Sequence, residues 1–404
     1  VWIGILLSLV SLAGMFVDVP IGMLCDHTSR RKLMMVGLGV LALVAILILN
    51  VPTLGLLIPI FLLAGIGYQM WRVPRDAKYA SLTTEKHRSK LYGADAEIKY
   101  LAVVIGTVLG GFLLGKYSTR GVLIFYLVLV ALSFIVVRSL VRETNNRSFL
   151  KALATPKDFR YKFAELRRIR NFGLNGILLL YLSLLFAFWG GVLWALQPLL
   201  YGPHGLGLTP ALGGLLLACF AIPGIFLSFW AGKLADRVGK TGVLFVGMMI
   251  TGIAIVGFSM STEITSVFAF AILAAIGEVL SLPALAGLIV NLSYGRRKGE
   301  LAGIWDMFID IGFFLGPLCA GICAHLLGIR YTFTALGVLI LVSSLVVFAV
   351  HPLRERRTHS AQQKRIEAVH QSYLHVTPLR KRHSLKGHLA PYPVRPTGKT
   401  VIRR

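Results

Sequence analysis

Eleven long stretches of this 404-residue chain are almost free of charged side chains. They cover residues 1–24, 33–50, 54–74, 96–115, 121–141, 173–198, 211–232, 241–259, 264–291, 301–325 and 331–351. About 18 apolar residues in a row suffice to cross the hydrocarbon core of a bilayer as a helix. Such a helix satisfies its own backbone hydrogen bonds, which lipid cannot do, so the pattern confines the chain to an all-α membrane fold. Composition agrees: 56% of residues are hydrophobic and 15% charged, against about a quarter charged in soluble domains. The first stretch has no basic leader and no small-residue cleavage site before Asp26, so it does not read as a signal peptide.

The four cysteines, Cys25, Cys219, Cys319 and Cys323, occupy no clear outer loop, which argues against structural disulfides. Cys319 and Cys323 are one helical turn apart, as small packing residues of a membrane helix can be. No metal or cofactor is expected from this cysteine pattern.

The net charge of +25 is unevenly placed. One set of alternate loops carries Arg30-Arg31-Lys32, Lys86 to Lys90, the 142–170 segment, Arg237 with Lys240, Arg296-Arg297-Lys298 and the C-terminal tail. The other set carries only Lys116, Arg120 and Arg330. The positive-inside rule puts the first set in the cytoplasm, with Val1 on the outer side and the C-terminus inside a cell membrane.

The chain repeats itself with an offset of about 210 residues. Gly22-Met-Leu-Cys-Asp26 matches Gly232-Lys-Leu-Ala-Asp236, and Gly93 matches Gly303. Gly106, Gly110 and Gly111 match Gly316-Pro317, Ala320 and Gly321, and Arg120 matches Arg330. Two homologous bundles with a substrate site between them is the architecture of many carriers. The expected organisation is an N-terminal bundle over 1–141, a basic linker over 142–170, a C-terminal bundle over 171–352 and a basic tail over 353–404. The repeat also expects a counterpart of the 173–198 helix ahead of Val1, making these eleven spans part of a set of twelve.

The two G-x-L-x-D loops resemble motif A of the major facilitator superfamily, of bacterial type. The second copy, Gly232-Lys-Leu-Ala-Asp236-Arg237-Val-Gly239-Lys-Thr241, is close to the family pattern. The first departs from it, with His27 for the usual Arg and Ser29 for the usual Gly. Gly207-Leu-Thr-Pro-Ala-Leu-Gly-Gly and Arg72-Val-Pro-Arg-Asp-Ala77 also resemble family segments, and the resemblance covers residues 1 to about 352. It implies a fold of two pseudo-symmetric six-helix bundles and a latch at the inner gate. Read physically, Gly22 and Gly232 permit close helix approach. Asp26 and Asp236 can pair with Arg30 and Arg31 or with Arg237, or face the positive N-terminus of a neighbouring helix. The Gly106/Gly110/Gly111 and Gly316/Pro317/Gly321 clusters resemble motif C, which the family uses most in exporters. Their physical role is close packing with a hinge, since Pro317 removes a helix hydrogen bond.

Ionisable groups inside spans are costly and mark functional candidates. At 1.5 Å rise per residue, Asp310 lies about 13 Å into its helix, close to mid-membrane, and Asp306 one turn nearer the inner end. Glu278 lies about 21 Å from the outer end of its helix. A carboxylate without a basic partner in its own span can load and release a proton. Asp310 is the first candidate for proton coupling, Glu278 the second and Asp306 the third. Arg72, Arg75, Asp76, Asp95, Glu97 and Lys99 gather at inner helix ends, where mutual pairing is expected; Arg72, the deepest, is also a substrate candidate. Tyr181, Phe186, Phe188, Trp189 and Trp194, with Gln197, could face an amphiphilic substrate or lipid.

The tail holds thirteen Lys and Arg against Glu355 and Glu367, and can meet anionic lipid head groups. No nucleic-acid-binding fold, Walker motif or nucleophile–base set is legible, so neither nucleic-acid binding, ATP drive nor an enzyme is expected. The expectation is a monomeric secondary transporter with alternating access, exporting a small organic compound against protons. Uptake by symport or uniport on the same fold is the alternative, and a transporter-like receptor or scaffold signalling through its tail is a rival of another class.

Overall fold

The computed structural model describes residues 1–50, 53–82, 88–141, 173–201, 207–292, 298–346 and 348–349. For Val19, Met23, Asp26, His27, 80–94, 197–198, 200–201 and 291–303 within these ranges, only the backbone course is described. The expected linker and tail therefore lie outside the described residues, as does the side chain of Asp26.

The described chain is helical: α1 Trp2–His27, α2 Arg30–Asn50, α3 Leu54–Leu82, α4 Arg88–Leu140, α5 Gly173–Tyr201, α6 Pro210–Cys219, α7 Ile222–Val238, α8 Lys240–Met260, α9 Ile264–Leu292, α10 Lys298–Leu326 and α11 Ile329–Val346. Nine described segments are long and apolar enough to cross a membrane, and a shorter apolar helix covers Trp2–Asp18. The spans expected from the sequence fall on these helices, with one difference, between α6 and α7. The expected spans 96–115 and 121–141 are the two arms of α4, which break at Ser118, a residue with φ of 61°. The expected span 211–232 is interrupted between α6 and α7, because Pro223 at the start of α7 has no N–H to continue the ladder.

The two motif A loops break their helices by different means. Between α7 and α8 the backbone turns at Gly239 with φ of 115°, a conformation a Cβ disfavours. Between α1 and α2, Thr28 is extended and donates its N–H to the Leu24 carbonyl. Ser29 then caps α2, accepting from the Lys32 N–H at 3.4 Å on its hydroxyl and from the Leu33 N–H at 3.1 Å on its carbonyl. The serine that departs from the family pattern is thus a helix cap.

Within the N-terminal half, α3 packs on α1 and α2, and α2 packs on α4. Within the C-terminal half, α5 packs on α10, α9 packs on α8 and α7, and Trp189 of α5 meets the Phe333 ring of α11. The largest buried core belongs to this half and runs through Leu179, Trp189, Leu216, Met248, Ile255 and Phe333. The N-terminal half has two small cores, Met34–Leu38–Val130–Val137 and Ile21–Cys25–Leu33.

The halves meet through two equivalent seams. Gly4 of α1 lies against the Pro317 carbonyl and the Gly321 backbone of α10. Gly214 of α6 lies against the Thr107 carbonyl and the Gly111 backbone of α4. Gly4 and Gly214, Thr107 and Pro317, and Gly111 and Gly321 are mates under the 210-residue offset, so the sequence repeat is also a repeat of contacts. Glycine is required at these seams because any Cβ would strike backbone rather than a movable side chain.

Candidate functional site

A cavity of about 320 Å³ lies beside the α4–α6 seam. Its wall is formed by Ser183, Phe186, Gly190 and Trp194 of α5, Phe220 and Ala221 at the α6–α7 break, Glu278 and Leu282 of α9, and Trp305, Ile309 and Phe313 of α10. Tyr100 and Val103 of α4 are the contribution of the N-terminal half. The α6–α7 break has a use here: it turns Phe220 into the cavity wall, and Gly224 one turn on leaves room for the Tyr100 ring.

Glu278 is the one acid among the described residues of this wall. Its carboxylate accepts from the Trp189 indole N–H at 3.1 Å. A carboxylate in an apolar wall is costly, and a single indole donor offsets only part of that cost. Trp189 is 1% exposed and is held by the Phe220 and Phe333 rings, so the donor is fixed in place. A second indole, that of Trp305, donates to the Ser183 hydroxyl at 3.0 Å. The wall therefore offers aromatic surface, one acid and little other polarity.

The expected aromatic stretch of α5 divides by role. Phe186 and Trp194 line the cavity, Trp189 positions the acid, Phe188 packs against the core, and the Tyr181 hydroxyl shares a hydrogen bond of 2.8 Å with Ser343. The Gln197 side chain lies outside the described residues.

Arg72 belongs to a second polar cluster. Its guanidinium donates to the Gln69 side-chain oxygen at 2.6 Å and to Asp18 of α1 at 3.2 Å. Asp310 of α10, in the other half, is within electrostatic reach of the same guanidinium. Two sequence candidates, Arg72 and Asp310, thus come together across the bundles, and Asp18 joins them. Sequence reading passed over Asp18, although a lone carboxylate inside the first apolar stretch was the signal for it. It also passed over Tyr100, which no charge or motif marks. Asp306 is exposed and does not line the cavity.

The inner-end charges pair locally: Arg75 with Asp76 at 2.9 Å and Lys99 with Asp95. Arg30 donates to the Ala77 carbonyl at 3.0 Å, tying the start of α2 to the end of α3. In the second motif A loop, Asp236 is exposed and its partner is Lys240 at 3.8 Å, where Arg237 was expected. Lys240 opens α8 immediately past the Gly239 turn, which sets its ammonium beside Asp236. Among the described residues nothing lies within 4 Å of a Cβ added at Gly22, Gly110 or Gly232, whereas Gly111, Gly316 and Gly321 are packed against backbone.

Comparison with known proteins agrees with this architecture. The chain is 28% identical over 160 residues to the quinolone resistance protein NorA of Staphylococcus aureus, a match that covers 39% of this chain and 41% of NorA, about two fifths of that relative's length. It is 27% identical over 316 residues to the class G tetracycline resistance protein of Vibrio anguillarum, covering 78% of each. A solved POT family transporter, in complex with a thioalcohol-conjugated peptide, superposes with a TM-score of 0.68 at 12% identity over 86% of each chain, a likeness of fold. The sequence pattern of the Major Facilitator Superfamily matches residues 2–205 and again residues 190–393, two overlapping matches that together cover most of the chain. With two such matches on two helical bundles joined by equivalent glycine seams, this multi-pass membrane protein belongs to the Major Facilitator Superfamily.

Proposed function

We propose that the protein is a secondary transporter that exports an amphiphilic organic compound in exchange for protons by alternating access. The observation that carries this reading is the aromatic cavity with Glu278 in its wall, placed where the two bundles join. An apolar cavity with few convergent polar groups suits a drug-sized organic molecule, and an acid held there can exchange a proton for it. Glu278 is proposed to couple proton and substrate inside the cavity. Asp310 is proposed to couple the proton to movement of the bundles, because it and Asp18 both address Arg72 from different bundles. The seams closed at the Val1 end support a state with access from the end of the basic loops, which positive-inside bias assigns to the cytoplasm.

Resistance proteins for quinolones and tetracycline among the relatives make those two drugs the first probes to use. In proteoliposomes, an imposed pH gradient is expected to drive uptake or release of the transported drug. Glu278→Gln is expected to abolish the gradient-driven flux at least tenfold and to keep drug–drug counterflow. Undiminished gradient-driven flux in Glu278→Gln would end the coupling role of this residue. Counterflow without any response to pH would favour a uniporter.

A further inference from the structure

Mates at the 210-residue offset make the same contacts along the seams, so mates of unlike chemistry mark places where the two halves divide their tasks. Glu278 of α9 is the mate of Tyr68 of α3, and Asp310 of α10 is the mate of Tyr100 of α4. Each side of the repeat therefore sets one acid and one tyrosine on opposite bundles, with the residue types exchanged. The cation is not repeated: the mate of Arg72 is Leu282. On the Arg72 side, the guanidinium binds Asp18 at 3.2 Å and stands within electrostatic reach of both Asp310 and Tyr68. One positive charge thus addresses an acid of each bundle. On the cavity side, Tyr100 of one bundle is within electrostatic reach of Glu278 of the other. Leu282 stands in the wall at the position of the arginine, and the described wall holds no Lys, Arg or His. Tyr100 is well fixed, because a Cβ added at Gly224 of α7 would lie 2.6 Å from its ring, so the ring rests on that glycine. Its hydroxyl is the one polar side-chain group that the N-terminal half brings to the wall, since Val103 offers only methyl groups.

Given the cavity as the transport site proposed above, we infer that its ligand carries a cation with N–H donors, an amidinium, guanidinium or protonated amine, which binds Glu278 and the Tyr100 hydroxyl together. The ligand thereby completes across the bundles the link that Arg72 makes on the other side of the repeat. Its charge offsets the cost of a carboxylate held in an apolar wall. Its N–H groups are needed because an oxygen on each bundle has to be met at once, and charge-assisted hydrogen bonds fix such a spacing. The indole N–H groups of Trp189 and Trp305 are already donated to Glu278 and Ser183, so the Trp305 ring offers the ligand its π surface. The faces of Trp305, Phe220 and Phe313 attract the same cation and pack an aromatic body behind it. Such a ligand binds best in the state that brings Tyr100 and Glu278 together, and that differential affinity is what lets binding bias the movement of the bundles.

Two probes separate this chemistry from a general attraction of cations: pentamidine, an aromatic amidinium, and tetraphenylphosphonium, an aromatic cation without N–H. Binding of each to the purified full chain in lipid nanodiscs is measured by titration calorimetry. Pentamidine is expected to bind about tenfold more tightly than tetraphenylphosphonium. Tyr100→Phe keeps the ring on Gly224, removes the hydroxyl and is expected to abolish most of that preference. Leu282→Arg restores the arginine of the repeat beside Glu278 and is expected to weaken both cations about tenfold. Tyr100→Phe decides the matter alone should Leu282→Arg fail to fold. Equal affinity of the wild type for the two cations, an unchanged preference in Tyr100→Phe, or undiminished binding to folded Leu282→Arg would each overturn the inference. Undiminished binding of both cations to Glu278→Gln is a separate failure, which would overturn the cavity as transport site along with it.

Discussion

The two bundles carry the same motifs yet differ in how tightly they are built. In the most apolar part of α5, 67% of residues are buried, against 11% in α4. The C-terminal bundle wraps α8, α9, α10 and α11 around a common core in which Trp189 and Phe333 are central. The N-terminal bundle divides its burial between two small clusters. The seams between bundles are nevertheless equivalent, glycine for glycine. Seam contacts depend on a pair of small residues facing one another, which each repeat supplies locally. Core burial depends on how many helices surround a position, which no local motif supplies.

That contrast can be challenged by mutation, beginning where the effect is largest. Trp189→Ala removes a fully buried ring and its donor to Glu278, and should cost about 3–5 kcal/mol, read as a large drop in thermal stability in detergent. Val137→Ala in the N-terminal core should cost only about 1–2 kcal/mol, because its cluster is small. Comparable losses at the two sites would erase the distinction between the bundles.

The next effect tests the charge cluster that joins the halves. Arg72→Ala leaves Asp18 without its guanidinium partner inside a span, and should cost about 3 kcal/mol. Asp18→Asn should restore much of that loss in the double variant, since the pair is coupled. A purely additive pair would show that the contact contributes nothing net.

The smallest effects separate the two motif A loops. Gly239→Ala forces a Cβ into a backbone with φ of 115° and should cost about 1 kcal/mol. Gly22→Ala should be neutral within about 0.5 kcal/mol, because among the described residues nothing stands within 4 Å of the new methyl group. A clear loss of stability in Gly22→Ala would mean that the basic ends of the bundles close in the resting protein.

Much of the fold was legible before any coordinates. Apolar runs marked the helices to within a few residues, because a membrane helix must be continuously apolar. The break at Ser118 fell between two expected spans, whereas the break at Pro223 was missed, since it lies inside an unbroken apolar run. The candidate site was legible in part. Lone charges in apolar runs pointed to Glu278, Asp310 and Arg72, yet spacing along one helix cannot say which of them share a cluster. Tyr100 was illegible, because a tyrosine in a span carries no signal until another helix is set beside it.

Sequence alone determined the helical membrane fold and the two-fold repeat with its offset. Both follow from local chemistry: backbone groups that need internal partners in lipid, and motif residues that recur along the chain. Tertiary structure alone decided that Glu278 faces the cavity with Trp189 as its donor, that Arg72 binds Asp18 within reach of Asp310, and that the halves meet at Gly4 and Gly214. Those are relations between helices distant in the chain, and only packing sets the rotation and depth at which two helices present their side chains to each other.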